Sequence, residues 1–251
     1  MKKSPLRYPG GKFRAVKHIL PYFPENIKEI CSPFFGGGHI ELALANKGVK
    51  VHGYDKFSLL VDFWKSLIDN KDSLYLVVNE LHSEMSKEKF KELQKSARGF
   101  LSPFQSRRGG IFYALNRSSF SGTILSGGYS PGHVRFSEKS VANIFNFDVK
   151  NFTVEYADFS DSLAKHPDTF LYCDPPYYIE STLYGNNGDL HEGFDHKGLA
   201  DLLTKRTGWL LSYNNCPEIL ELYKGYEIVY PKWKYGMSKD KESKEILVIS
   251  R

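Results

Sequence analysis

The most constraining feature of the sequence is an alternation of strand, glycine-rich loop, helix and strand near its start. Apolar residues 27–31 predict a short buried strand, and the glycines of 36–38 predict a tight loop after it. A helix is expected over 40–47 and a second strand over 49–54. This order opens a doubly wound, mostly parallel sheet covered by helices, which is an α/β fold.

The same alternation returns in the last third of the chain. Strands are expected over 170–173 and 209–212, with a helix between them over 195–206. The stretches 226–230 and 246–250 predict a closing antiparallel pair. The two ends of the sequence therefore belong to one sheet.

The middle of the chain has a different composition. Residues 71–150 are rich in Lys, Arg, Ser and Gly, with an amphipathic helix expected over 86–98 and loops and short hairpins over 116–139. The simplest organisation is one discontinuous α/β domain, formed by 1–70 and 151–251, which a basic insertion interrupts.

Charge and cysteine content limit the partners and the compartment. A formal net charge of +5 and a sequence pI of about 8.9 are compatible with a polyanionic partner. The three cysteines, Cys31, Cys173 and Cys216, are widely spaced and predict neither a disulfide framework nor a metal site. With no apolar leader and no membrane-spanning run, the expected location is the cytoplasm, with no membrane partner.

The loop that contains Phe34, Gly36 and Gly38 predicts a nucleoside site. A glycine-rich turn after a buried strand lets a ligand approach the backbone at the carboxyl edge of the sheet. Asp55, at the end of the next strand, is spaced to accept hydrogen bonds from ribose hydroxyls. Glu41 stands where a dinucleotide motif has its third glycine, and its charge would repel a pyrophosphate, so a nucleoside is favoured over a nicotinamide dinucleotide. A plain structural turn is the alternative.

The strongest chemical signal is the run Asp174, Pro175, Pro176 and Tyr177, directly after an apolar strand. The Asp174 carboxylate and the Pro175 carbonyl could each accept one N–H of an amino group and direct its lone pair at an electrophile. Tyr177 could stack on a base, a contact worth about 1–3 kcal/mol. Asp174, Pro175 and Tyr177 are the predicted catalytic residues, and a Pro-rich turn capped by Asp174 is the alternative.

With these two motifs in this order, the chain resembles the DNA adenine-N6 methyltransferases of the Dam-like type, which form the D12 class. The resemblance implies a Rossmann-like class I methyltransferase sheet with an antiparallel C-terminal strand, and S-adenosylmethionine as cofactor. It implies that Asp174 lies where cofactor and target meet, and that 71–150 is an inserted target-recognition domain. The implied substrate is a flipped adenine in double-stranded DNA, with a cognate restriction endonuclease encoded elsewhere as a further partner.

The resemblance also assigns residues to the cofactor. Tyr8 and Lys12 match an N-terminal segment of the family that contacts it. Asp55 would bind its ribose. Asp158 and Phe159 resemble the segment that holds its adenine, with Asp158 on the exocyclic amine and Phe159 against the ring.

Residues 116–122, which begin with Asn116, are similar to the family's DNA-contacting hairpin. The resemblance implies that Phe120 pushes into the base stack when the adenine leaves it, an extrusion that costs on the order of a few kcal/mol. Basic side chains nearby are candidates for phosphate contacts. They are Arg107, Arg108, Arg117 and Arg135.

Two departures and three alternatives accompany this hypothesis. Ser32 replaces an acidic residue common before the glycine motif, and Leu125 stands where GATC-specific members carry a guanine-reading Arg, so a GATC target is not expected.

Cytosine-N4 or RNA-adenine methylation uses the same turn, but more often with Ser or Asn in place of Asp174. A non-catalytic DNA-binding relative is disfavoured by the intact motif, and a nicotinamide oxidoreductase by Glu41.

Overall fold

Among the described residues, seven strands form one sheet at the centre of the fold. The computed structural model describes residues 3–99, 102–130, 135–178, 193–233 and 244–251. The strands, in chain order, are β1 (Glu29–Ser32), β2 (Lys50–Asp55), β3 (Phe152–Tyr156), β4 (Phe170–Cys173), β5 (Trp209–Asn214), β6 (Glu227–Val229) and β7 (Glu245–Ser250). Their spatial order is β3-β2-β1-β4-β5-β7-β6.

The pairing directions confirm the predicted class I methyltransferase sheet. Neighbours from β3 through β5 are parallel, whereas β7 is antiparallel to both β5 and β6. The first strand begins at Glu29, later than expected, because the N–H of Ile27 bonds to the carbonyl of Pro24 in a preceding turn. The order reverses beside β1, and such a switch point places a crevice at the carboxyl ends of the strands.

The helices lie between and around these strands. They are α1 (Val16–Ile19), α2 (His39–Ala45), α3 (Ser58–Asp69), α4 (Lys71–Ser83), α5 (Lys87–Arg98), α6 (Gln105–Ser118), α7 (Glu138–Phe145), α8 (Phe159–Lys165), α9 (His196–Leu203) and α10 (Pro217–Leu222). Ser86 caps α5 and Asp195 caps α9, each by accepting a hydrogen bond from a backbone N–H of the first turn.

The segment between β2 and β3 is more helical than its composition predicts. The sequence pattern does not predict α4, α6 or α7, and the expectation of loops over 116–139 is wrong at both ends of that range. Glycines in α6 allow close packing: a Cβ at Gly109 would lie 2.9 Å from the carbonyl oxygen of Asp62, and one at Gly110 would overlap Cγ1 of Val77. Tertiary contact therefore outweighs the low helix propensity of glycine.

Two apolar layers cover the two faces of the sheet, and side chains alternate between them along each strand. Ile30 and Tyr172 point into a layer that also holds the buried faces of α1 to α7. Cys31 and Cys173 point into the opposite layer, against α8, α9 and α10. Helices α4 to α7 thus share one core with the sheet. Among the helices of the described ranges, none combines the length and apolar character that a membrane crossing requires.

Candidate active site

A cavity of about 720 Å³ opens at the carboxyl ends of β1 to β4. Its wall combines the N-terminal segment, the glycine loop, the start of α8 and the turn after β4. It includes every residue predicted to bind cofactor or to take part in catalysis. These are Tyr8, Lys12, Phe34, Gly36, Gly38, Asp55, Asp158, Phe159, Asp174, Pro175 and Tyr177.

The glycine loop is shaped by left-handed backbone conformations. Gly36 has φ +48° and Gly38 has φ +66°, which residues with a side chain rarely adopt. A Cβ at Gly38 would also lie only 2.6 Å from the ring of Phe35. The indole Nε1 of Trp64, on α3, donates to the carbonyl of Gly36 at 3.0 Å. The loop therefore keeps a compact form that leaves its inner side open to a ligand.

Asp55 fastens this loop to the end of β2. Its Oδ2 accepts a hydrogen bond from the N–H of Gly36 and its Oδ1 accepts one from the N–H of Phe57, both at 2.9 Å. Burial raises the pKa of Asp55 to about 6, against the opposing effect of these N–H groups. Because each carboxylate oxygen has a second lone pair, Asp55 can still accept from a ligand hydroxyl.

An aromatic wall lies on one side of the cavity. The ring centroids of Phe34 and Phe159 are 5.9 Å apart, and Phe194 lies 5.5 Å from each of them. Phe194 was not predicted, because it lies far along the sequence from both partners and in no recognised motif. Such a wall suits the face of a purine ring.

Asp158 stands at the edge of this wall as the N-cap of α8. Its Oδ2 lies 2.8 Å from Nζ of Lys56. Burial acts to raise the pKa of Asp158, but the hydrogen bonds from Lys56 and from the N–H of Ser160 hold it below its usual value. The carboxylate is therefore ionised and can accept from an exocyclic amine.

The turn after β4 is held from the neighbouring strand. Asn214, at the end of β5, accepts from the N–H of Tyr178 at 2.9 Å and donates to its carbonyl at 3.0 Å. This two-way contact fixes the backbone just beyond Tyr177. Asp174 and Pro175, which precede this contact in the same turn, both line the cavity.

Lys12 is nearly inaccessible, at 3% exposure, and its ammonium group lies among acceptors. Nζ is 2.8 Å from Oδ1 of Asp174, 3.1 Å from the carbonyl oxygen of Gly10 and 3.7 Å from Oε2 of Glu245. It also lies 4.9 Å from the ring centroid of Tyr177. Two of these contacts, with Asp174 and Tyr177, are with the predicted catalytic turn, whereas the resemblance implies a contact with the cofactor.

Glu245, the first residue of β7, is a component of the site that sequence reasoning missed. Its Oε2 accepts from the hydroxyl of Ser212 at 3.3 Å, and the residue is 4% exposed. Burial raises its pKa to about 7, with Lys12 opposing and Asp174 adding to the rise. The available signal was an acidic residue at the start of an otherwise apolar strand.

Glu41 does not carry the charge that was expected to repel a pyrophosphate. It is buried on α2, and its Oε1 accepts from the hydroxyl of Ser32 at 2.7 Å. Burial raises the pKa of Glu41 to about 8, so the group is mostly neutral at pH 7. Glu41 therefore carries little charge that could repel a pyrophosphate, and the hydroxyl of Ser32 is its hydrogen-bond partner.

Asn116 has a structural role. Its side chain is fully buried, accepts from the N–H of Arg7 at 3.0 Å, and donates to the carbonyl oxygens of Arg7 at 2.8 Å and Gly122 at 3.3 Å. The prediction that Asn116 contacts DNA directly does not fit this burial. The residue instead joins the end of α6 to the N-terminal segment beside Tyr8.

Phe120 lies on an exposed turn directly after α6, and 66% of its surface is accessible. The predicted hairpin starts later than expected, since Asn116 to Ser118 belong to α6 and the bridge joins Ser119 to Tyr129. Leu125 on the same turn is 1% exposed and cannot reach a base in this conformation.

The four predicted arginines differ in their surroundings. Arg107 lies 2.8 Å from Glu80, and Arg108 forms a two-pronged pair with Asp62 at 2.6 and 2.9 Å. Arg117 Nε donates to the carbonyl of Arg135 at 2.8 Å.

A cationic cluster forms where the N-terminal segment meets α6. Burial, together with the neighbouring Arg135 and Arg117, lowers the pKa of Arg7. One guanidinium nitrogen of Arg7 is buried without a hydrogen-bond partner among the described residues.

Across all the residues that the structure describes, no group of three or more His, Cys, Asp or Glu side chains could hold a metal ion.

Comparison with known proteins identifies the family. The sequence is 26% identical over 243 residues to Type II methyltransferase M1.LlaDCHI of Lactococcus lactis subsp. cremoris, covering 88% of this chain and 84% of that protein. It is 25% identical over 201 residues to modification methylase StsI of Streptococcus sanguinis, covering 73% of this chain and 30% of that protein. The DNA N-6-adenine-methyltransferase of Escherichia phage P1 is 24% identical over 238 residues, covering 88% of this chain and 31% of the phage protein.

The chain thus spans most of the first relative and about a third of the other two. The family model for the D12 class N6 adenine-specific DNA methyltransferase matches residues 8–237, which include the glycine loop and the turn after β4. With this match across most of its length, the chain belongs to the D12 class of N6 adenine-specific DNA methyltransferases.

Proposed function

We propose that this protein uses S-adenosylmethionine to methylate N6 of an adenine that has left the base stack of double-stranded DNA. The observation that carries the proposal is the placement of Asp174 and Pro175 in the same cavity as the glycine loop and Asp55. One side of the cavity suits a nucleoside, and the other presents acceptors for an amino group.

The cofactor-binding side fits the adenosine part of S-adenosylmethionine. Phe34 and Phe159 would cover the adenine ring, Asp158 would accept from its amine, and Asp55 would accept from the ribose hydroxyls. Tyr8 contributes to the same wall beside Gly36. When bound, the cofactor supplies a methyl group already activated on a sulfonium.

Asp174 would orient the target amine. Its carboxylate and the Pro175 carbonyl each accept one N–H, which reduces conjugation of the nitrogen with the ring and directs its lone pair. As positive charge develops on N6, the carboxylate stabilises it electrostatically. Lys12 already lies 2.8 Å from Oδ1 of Asp174, so the pair holds that carboxylate in one orientation before the base arrives. Tyr177 would stack on the base.

The insertion 71–150 would contact DNA. Exposed Phe120 would fill the gap that the extruded adenine leaves. Arg117 and Arg135 would contact phosphates, whereas Arg107 would have to leave Glu80 and Arg108 would have to leave Asp62 to do so.

A role in restriction and modification is the biological setting that we propose. It is supported by the names of two relatives, a Type II methyltransferase and a modification methylase. The partner would then be a restriction endonuclease with the same recognition sequence, and both would act in the cytoplasm.

The decisive experiment is to incubate the protein with unmodified genomic DNA and S-adenosylmethionine, then map modified adenines by sequencing. Digestion of the product to nucleosides identifies the modified base. We expect N6-methyladenine within one recurrent sequence. Recovery of N4-methylcytosine, or of no methylated base with a folded protein, would overturn the proposal.

A further inference from the structure

Helix α5 is bonded to the turn that carries Phe120. The side-chain amide of Gln94 donates to the carbonyl oxygens of Ile124 at 2.8 Å, Gly127 at 2.8 Å and Leu125 at 3.3 Å. The guanidinium of Arg98, one helical turn further on, also donates to the Leu125 carbonyl. Two side chains of α5 therefore hold residues 124–127, the second half of the turn.

The turn needs such support because its backbone is strained. Ser121 has φ +55° and Ile124 has φ +56°, although neither residue is glycine. A positive φ is a true outlier for a β-branched residue such as Ile124, and conformations of this kind persist only where the surroundings enforce them. Gly122, at φ +77°, lies so close to the N-terminal segment that a Cβ would overlap the carbonyl oxygen of Arg7.

Contacts within the turn complete its framework. The N–H of Ile124 donates to the hydroxyl oxygen of Ser119 at 3.0 Å, and the N–H of Phe120 donates to the carbonyl of Gly128 at 3.0 Å. The Phe120 side chain is the part left outside, largely exposed to solvent. The turn thus presents one large aromatic side chain on a backbone that is bonded to α5, packed against the N-terminal segment and joined by its own hydrogen bonds.

We propose that Gln94 and Arg98 are positioning residues, which hold the turn 119–128 in its strained form so that Phe120 is ready to enter the base stack. The inference rests on the proposed function, which gives Phe120 that task. A loop ordered in advance loses less conformational freedom on binding, so more of the contact energy is left to offset extrusion of the base. Gln94 and Arg98 need not touch DNA for this effect.

The test uses Gln94→Met, which keeps the length of the side chain and removes its N–H donors. Arg98→Met likewise removes the donors of the second side chain that holds the turn. Lys91→Ala, on the exposed side of α5, is the control. Hydrogen exchange of the free protein reports order in the turn. Initial rates on genomic DNA, and fluorescence of a duplex with 2-aminopurine at the mapped target adenine, report methylation and extrusion. Calorimetry measures binding of S-adenosylmethionine.

We expect Gln94→Met to speed hydrogen exchange within 119–128 and to lower kcat/KM for DNA by about tenfold. The reason is that the conformational entropy of ordering the turn is then lost when DNA binds. The 2-aminopurine signal should fall in parallel, cofactor affinity should stay unchanged, and Lys91→Ala should match the parent. Unchanged exchange and unchanged methylation in Gln94→Met and Arg98→Met would overturn the inference.

Phe120→Ala separates this inference from the proposed function. If the parent methylates DNA but Phe120→Ala is fully active, the inference fails while the proposed function stands. If the parent methylates nothing, the proposed function fails, and the exchange data still decide whether Gln94 and Arg98 order the turn.

Discussion

Nζ of Lys12 lies 2.8 Å from Oδ1 of Asp174, joining the N-terminal segment of the chain to the end of β4 inside one cavity. Burial raises the pKa of Asp174, whereas the charge and hydrogen bond of Lys12 oppose that rise. The carboxylate that is to receive the target amine is thus oriented in advance by a cation from a distant part of the sequence.

Asp174→Ala should abolish methylation, because the amine loses the acceptor that orients it and stabilises its developing charge. Removing one such electrostatic contact typically lowers kcat by about 10²–10³. Initial rates with labelled cofactor measure the loss, and a filter or gel assay should show DNA binding largely retained. Near-normal turnover would refute the assignment of Asp174.

Tyr177→Ala should lower kcat/KM by one to two orders of magnitude, whereas Tyr177→Phe should be milder. The ring supplies stacking worth about 1–3 kcal/mol, and phenylalanine retains that ring. Single-turnover rates compare the two variants, with Tyr156→Ala on the exposed surface of β3 as the control. Equal rates for the alanine and phenylalanine variants would argue against stacking.

Glu41→Gln should flatten the dependence of stability on pH. The folded chain raises the pKa of this buried group from 4.5 to about 8 because of desolvation. The folded state therefore holds the proton more tightly, and the free energy of unfolding falls as pH rises from 4.5 to about 8. The lost stability is on the order of a few kcal/mol.

Urea unfolding at a series of pH values measures this effect. Glutamine keeps an oxygen for the hydroxyl of Ser32 and cannot ionise, so the variant should lose less stability on the alkaline side. Glu245 and Asp55 have raised pKa values too, so some dependence should remain. A slope equal to that of the parent, with Glu88→Gln as the exposed control, would contradict the assignment.

Asn116→Ala should destabilise the fold by about 1–3 kcal/mol, since it leaves buried backbone groups of Arg7 and Gly122 without their partner. The midpoint of urea unfolding provides the measurement, and Asn143→Ala at an exposed position of α7 is the control. An unchanged midpoint would show that these bonds contribute nothing net.

The sequence predicts the sheet well where the local apolar pattern of a strand matches its burial in the folded protein. Apolar runs followed by glycine or by Asp174 mark the ends of β1 and β4, and the structure brings those ends to one cavity. Parallel strands share a carboxyl edge, so the motifs converge whatever their separation along the chain.

The remaining features depend on contacts that composition does not reveal. Gly109 and Gly110 have low helix propensity, yet they allow α6 to approach α3 and α4 closely. Phe194 joins the site through its ring contacts with Phe34 and Phe159, and Glu245 joins it through its contact with Lys12. No local motif marks either residue.

The hydrogen bond from Trp64 to the Gly36 carbonyl gives the protein an intrinsic optical reporter. Its indole is buried against the back of the glycine loop, while the front of that loop faces the cavity. We expect a ligand that shifts the Gly36 carbonyl to change the polarity around the indole. Tryptophan emission can therefore follow titration of the site without a label.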